Sequence, residues 1–212
     1  MSLSDARLYL VARASLGHRP LAELIPELAA AGVDLVQLRE KEMEAGDILR
    51  VGEPVRAACR EAGLPFIIND RPDVGLALDA DGVHLGQNDL PVEIGRRVMG
   101  ASIVGVSTHS EAEIDKATAS PQRIDYIAVG PIEKTPTKPG RPGTGLGLLR
   151  YAARVIRVPW FVTGNMNTAT LPSAMEAGAR RAVVVRAITE ARDPVTAAAE
   201  LRAILDEVPL KR

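Results

Sequence analysis

The stretch "IINDRPDVGLALDADGVHLGQND" (residues 67–89) decides how this chain is read. One apolar run ends in Asn69-Asp70, a weakly helical stretch follows (71–80), and a second apolar run, "GVHLG" (82–86), leads to Gln87 and Asp89. Like most of the short apolar runs in this chain, the first is continuously apolar rather than alternating. Continuous short runs are the mark of parallel strands covered on both faces, and parallel strands need a crossover between them.

Working outward, the same unit recurs. Apolar, β-branched runs stand at "LYLVA" (8–12), "VDLVQL" (33–38), "FIIN" (66–69), "GVHLG" (82–86), "IVGVS" (103–107), "YIAVG" (126–130), "WFVTG" (160–164) and "AVVVRA" (182–187). Segments with helical spacing lie at 20–32, 45–63, 90–100, 110–120, 145–157, 167–179 and 193–208. In the first of these Leu21, Leu24, Ile25 and Leu28 share one face, and Pro54 is expected to kink or break the second. Gly32, Gly63 and Gly178 close helices where a left-handed C′ residue is wanted. Strand and helix alternate eight times without a linker, which predicts an α/β fold, a (β/α)8 TIM barrel occupying residues 1–212 as a single domain. An open doubly wound sheet would need a Gly-rich fingerprint after its first strand, and "ARASLGHRP" (12–20) lacks GxGxxG.

Composition narrows the function. The formal net charge is −1, so no global basic field draws nucleic acid, and an aromatic content of 3% gives no stacking platform for single strands. No apolar run reaches membrane length, and the chain reads as having no membrane partner. A single cysteine, Cys59, reads as a small apolar helix residue and suits a reducing cytoplasm. Oligomeric state is open, a homo-oligomer included.

In a barrel of this kind chemistry sits at the carboxyl ends of the strands. Those ends carry Gln37, Arg39, Glu40 and Lys41; Asn69 and Asp70; Gln87 and Asp89; Ser107, Thr108 and His109; Gly164-Asn165; and Val185-Arg186. Arg39, Lys41 and Lys138 form a cation cluster suited to a dense anion such as a diphosphate. Asp70 and Asp89 are hard oxygen ligands of the type that holds Mg2+ together with substrate phosphate oxygens. In isolation each of these aspartates also reads as a helix N-cap. His84, in mid-strand, reads as packed inside the barrel, and Ser107 has no GxSxG elbow around it. The loop "GPIEKTPTKPGRPGTG" (130–145) offers Thr135, Thr137 and Lys138 on a Gly- and Pro-rich lid that would order over ligand. The strand ends at 164–165 and 185–186 suggest a second anion site, so two phosphorylated small-molecule substrates are expected.

These motifs together resemble the thiamine-phosphate synthase (thiamine phosphate pyrophosphorylase) family. The resemblance covers nearly the whole chain and rests on "QLREK" (37–41), "IIND" (67–70), "GVHLGQNDLP" (82–91), "GVSTH" (105–109), "DYIAVGPI" (125–132), "TPTK" (135–138) and "AGARRAVVVRAI" (177–188). It implies a (β/α)8 barrel transferase that joins hydroxymethylpyrimidine diphosphate to hydroxyethylthiazole phosphate. By matching positions, Gln37, Arg39, Lys41, Asn69, Ser107 and Lys138 would hold the pyrimidine diphosphate, with Arg39, Lys41, Ser107 and Lys138 as the catalytic set. Asp70 and Asp89 would bind Mg2+. Thr135, Thr137, Gly164, Asn165, Val185 and Arg186 would hold the thiazole phosphate. Three positions depart from the family's pattern: Asn165 where a second glycine is usual, Arg186 where serine is frequent, and Glu133-Lys134 where an aromatic and proline are common.

Three other readings share parts of this pattern. Thiazole tautomerase-like barrels share the phosphate site and should lack the full set of cations and paired aspartates. A sugar-phosphate epimerase or isomerase would want an acid/base pair near the barrel centre, where only His84 and His109 are found. A non-catalytic thiazole-phosphate-binding barrel would differ by as little as one inactive residue.

Overall fold

The computed structural model describes residues 3–134 and 143–210. In chain order its elements are β1 (Leu8–Ala12), a small hairpin of β2 (Ser15–Leu16) and β3 (Arg19–Pro20), α1 (Leu21–Ala30), β4 (Leu35–Leu38), α2 (Ala45–Glu61), β5 (Phe66–Asn69) and α3 (Pro72–Ala77). They continue with β6 (Gly82–Leu85), α4 (Val92–Met99), β7 (Ile103–Thr108), α5 (Glu111–Thr118), β8 (Tyr126–Val129), α6 (Gly145–Val155), β9 (Trp160–Val162), α7 (Leu171–Glu176), β10 (Ala182–Val184), α8 (Arg186–Thr189) and α9 (Pro194–Asp206). The sheet closes in the order β1-β10-β9-β8-β7-β6-β5-β4, and every adjacent pair is parallel. This is the (β/α)8 barrel expected from the alternation of runs.

Closure sorts the side chains of each strand into two cores. In β1, Leu8, Leu10 and Ala12 pack outward against the helices, whereas Tyr9 and Val11 point into the barrel with Leu35, Ile67, Tyr126, Ala128, Phe161 and Val183. The chain has only six aromatic residues, and three of them, Tyr9, Tyr126 and Phe161, meet edge-on inside the barrel at centroid separations of 5.4–5.6 Å. Edge-to-face packing at that spacing is favourable and fills a space that eight strands leave just wide enough for side chains. Tyr126 fits only because Gly105 opposite it has no side chain: a Cβ there would lie 2.0 Å from the phenol ring.

Three expectations need correction. Pro54 does not break α2, which runs unbroken from Ala45 to Glu61, because Pro54 and the Arg50 carbonyl it deprives of a donor both lie on the solvent face. The last strand ends at Val184 rather than 187; Val185 turns the chain, and Arg186–Thr189 form a helical turn that buries Ile188. A continuous apolar run does not distinguish a strand from a buried helical turn. The β2–β3 hairpin was not foreseen, although Gly17, at φ +60°, supplies the left-handed residue that so tight a turn needs.

At the amino-terminal rim a single device recurs. Asp34, Asp81 and Asp125 each stand one residue before a strand, and each carboxylate accepts an amide from the first two residues of the neighbouring strand: Leu8 at 3.0 Å, Phe66 at 2.8 Å and Val104 at 2.8 Å. Each aspartate's own amide in turn donates to the carbonyl of the same residue. Asp34 also accepts from the Arg7 amide at 2.7 Å and from Arg202 of α9 at 2.9 and 3.0 Å, with its side chain 3% exposed. Removing it would strand a half-buried guanidinium and the amides of Arg7 and Leu8. Asp34→Ala should therefore cost about 3 kcal/mol and lower Tm by about 6–12 °C in a thermal scan. Asp47→Ala, which removes an exposed pair with Arg50, should change stability by no more than ~0.5 kcal/mol.

Candidate active site

The opposite, carboxyl-terminal rim opens into a cavity of about 670 Å3. Its lining includes Gln37, Arg39, Lys41, Asn69, Asp70, Gln87, Asp89, Ser107, Gly164, Asn165, Val185 and Arg186, so strand ends far apart in sequence meet around one space. Thr135, Thr137 and Lys138 lie outside the described residues.

Asp70 leaves β5 in a left-handed conformation, φ +64°, which aspartate tolerates better than most residues. Its amide donates to the His84 carbonyl at 2.8 Å, tying the end of β5 to β6. Neither aspartate caps a helix. The N-cap of α3 is Arg71 and that of α4 is Pro91, both without a side-chain capping bond. The Asp89 carboxylate instead accepts the Gly86 amide at 2.7 Å, which folds the loop back and turns the carboxylate towards Asp70.

The two carboxyl groups stand within hydrogen-bonding reach of each other, and Lys41 Nζ lies 2.9 Å from Asp70 Oδ2. Burial raises the affinity of Asp70 for a proton, but the bond with Asp89 and the ion pair with Lys41 outweigh it, so Asp70 sits below the ordinary carboxylate range. Asp89 is pushed above that range, first by burial and then by Asp70 beside it. Arg39 feels both carboxylates and also Arg13, with burial the largest influence and its net affinity for a proton lowered. Two facing carboxylates, one of them raised by the other, suit a hard divalent cation that takes its remaining ligands from phosphate oxygens and water. Among the described residues no group of three or more His, Cys, Asp or Glu forms a metal cluster.

On the far side of the cavity, Gly164 (φ +106°) and Asn165 (φ +56°) make the turn after β9. The asparagine therefore adopts the conformation for which glycine would otherwise be chosen. Its side chain is also engaged: Nδ2 donates to Glu133 at 2.8 Å, and Oδ1 accepts from Arg186 at 3.2 Å. Arg186 in addition lies 3.8 Å from Glu190. Asn165 thus contacts both Glu133 and Arg186, the other positions at which the resemblance implies a departure. Gly164 cannot be exchanged in the same way, since a Cβ would come within 2.6 Å of Pro131 and 2.5 Å of the Ile132 amide.

His109 bonds through Nδ1 to the Gly130 carbonyl, and its amide donates to Glu113 at 2.6 Å. His84 is buried inside the barrel, as its mid-strand position suggested. Cys59 is fully buried on α2 and its thiol is pushed up to about 12, mainly by burial, so it takes no part in the site. Tyr9 and Tyr126, beneath the cavity, were missed; the available signal was a phenol at an inward position of a strand that otherwise points apolar groups inward.

A closed parallel barrel with paired carboxylates and basic groups at its carboxyl-terminal rim defines an enzyme class that handles phosphorylated substrates. The comparisons with known proteins carry this further. The profile of the family described as thiamine monophosphate synthase matches residues 8–188, and the chain belongs to that family. It is 48% identical over 206 residues to thiamine-phosphate synthase of Acidothermus cellulolyticus, covering 96% of this chain and 97% of the relative. It is 47% identical over 199 residues to that of Thermus thermophilus, covering 92% and 95%. The solved structure of thiamine phosphate pyrophosphorylase from Pyrococcus furiosus superimposes with a TM-score of 0.86 at 29% identity, covering 97% of this chain and 98% of that one.

The β9 turn yields a paired prediction. Gly164→Ala should destabilise by about 2 kcal/mol or more, because the new methyl meets backbone in a left-handed conformation. Asn165→Gly should stay within about 1 kcal/mol of wild type, since relief of the left-handed asparagine offsets the lost side-chain bonds. Denaturant titration of the two variants checks both.

Proposed function

We propose that the chain condenses hydroxymethylpyrimidine diphosphate with hydroxyethylthiazole phosphate to give thiamine phosphate and diphosphate, in the cytoplasm and with Mg2+. The observation that carries this reading is the juxtaposition of Asp70, Asp89, Lys41 and Arg39 at one edge of the cavity.

Asp70 and Asp89 would hold the magnesium ion. When bound, it would neutralise charge on a departing diphosphate. Lys41, Arg39 and Lys138 would bind the separated diphosphate more tightly than the intact ester, and that difference lowers the barrel's barrier to ionisation. Gln37, Asn69 and Ser107 would orient the pyrimidine. Gly164, Asn165, Val185 and Arg186, with Thr135 and Thr137, would hold the thiazole phosphate so that the ring nitrogen faces the cationic carbon. The nitrogen carries no proton, so the reaction needs no general base. This accords with a site rich in cations and carboxylates.

Mixing both substrates with magnesium should release diphosphate at a rate that falls about 100-fold or more in the Asp70→Ala, Asp89→Ala double variant. A chelator should abolish release and added magnesium restore it. Equal release by wild type and double variant would overturn the reading. Asn165→Gly should change KM for the thiazole phosphate by less than about tenfold, since it keeps the turn and removes only side-chain contacts to Glu133 and Arg186.

A further inference from the structure

Residues 39–41 leave β4 with their side chains divided. Arg39 and Lys41 line the cavity; Glu40, between them, does not, and its side chain is only 4% exposed. A carboxylate so buried needs partners. Glu40 Oε1 accepts the Ala14 amide at 2.7 Å, and Oε2 lies 3.6 Å from Nε of Arg13. β1 and β4 run parallel with Ala12 opposite Leu38, and the Arg39 amide donates to the Ala12 carbonyl at 2.9 Å. An unbroken parallel ladder would next take the Ala14 amide to the Arg39 carbonyl. The Glu40 carboxylate takes that amide instead, so the two chains part here yet stay tied. The Ala14 carbonyl in turn accepts the amide of Leu21, the first residue of α1, at 2.8 Å, which closes the loop carrying the β2–β3 hairpin. Arg13, Ser15, Leu16 and Gly17 of that loop border a second space of about 320 Å3, which shares Arg39 and Val185 with the main cavity. Close packing therefore does not hold the loop against Arg39.

We infer that Glu40 is a positioning residue: its carboxylate fastens the loop after β1 to the chain end from which Arg39 and Lys41 reach the cavity, and so holds the two cations in place for a diphosphate group. Glu40 acts through its neighbours and stays outside the cavity itself. The choice of ligand rests on the synthase reading; the tie between Glu40 and Ala14 does not.

Two variants test this. Glu40→Gln keeps an oxygen to accept the Ala14 amide and loses only the charge facing Arg13, whose side chain is 61% exposed. Glu40→Ala keeps neither. Hydrogen exchange followed by NMR should show the Ala14 amide exchanging faster in Glu40→Ala than in wild type, and close to wild type in Glu40→Gln. Calorimetric titration with inorganic diphosphate and magnesium should give a Kd about tenfold or more weaker in Glu40→Ala and within about threefold of wild type in Glu40→Gln. In the assay, Glu40→Ala should raise KM for the pyrimidine diphosphate about tenfold and leave KM for the thiazole phosphate within about twofold, a split that general loosening of the fold would not produce. Equal diphosphate affinity in Glu40→Ala and wild type overturns the inference, as does equal loss for both substrates. Should Glu40→Ala fail to fold, Glu40→Gln decides: fast exchange at Ala14, or a loss of diphosphate affinity beyond about tenfold, overturns it. A wild type that binds diphosphate with this dependence on Glu40 but forms no thiamine phosphate keeps the inference and sinks the synthase reading.

Discussion

Closing eight parallel strands on themselves is the constraint from which the rest follows. Every second residue of each strand must enter one narrow interior, and that interior cannot be apolar throughout if its upper end is to meet charged ligands. The chain resolves this by depth. Ile67 and Phe161 pack among the buried aromatic rings, phenols and an imidazole follow, and carboxylates and cations occupy the rim. Hydrogen bonds between Tyr9, Tyr126 and His84 let polar groups occupy the middle layer without an unmet desolvation cost.

Much of this was legible in the residues. The eight apolar runs mark the eight strands because parallel strands, covered on both faces, do not alternate. Asp70 and Asp89 could be singled out because carboxylates at the ends of such runs sit at the ligand-facing rim. What escaped reading was whatever depends on which strands lie across from one another. Nothing in "LYLVA" and "DYIAV" says that Tyr9 and Tyr126 touch, 117 positions apart. The helical turn at 186–189 escaped because its apolar run continues that of β10, and the unbroken α2 because a proline's effect depends on which face of the helix it occupies.

The same dependence on context applies to the aspartates as a class. Asp34, Asp70, Asp81, Asp89 and Asp125 are alike in type and all lie beside strands. Three precede their strands and bind backbone amides; two follow and face cations. Position before or after the strand, rather than residue type, separates the carboxylates that clasp strand amides from the two that line the cavity.

The three lower aspartates bear on how such a chain can change over generations. They fasten neighbouring strands in pairs at the end remote from ligand, through contacts that involve none of the upper loops. Insertions and substitutions above can accumulate while the clasped base continues to define the register of those pairs. Asn165, Arg186 and Glu133 lie at the mouth instead, where Asn165 bonds to both of the others.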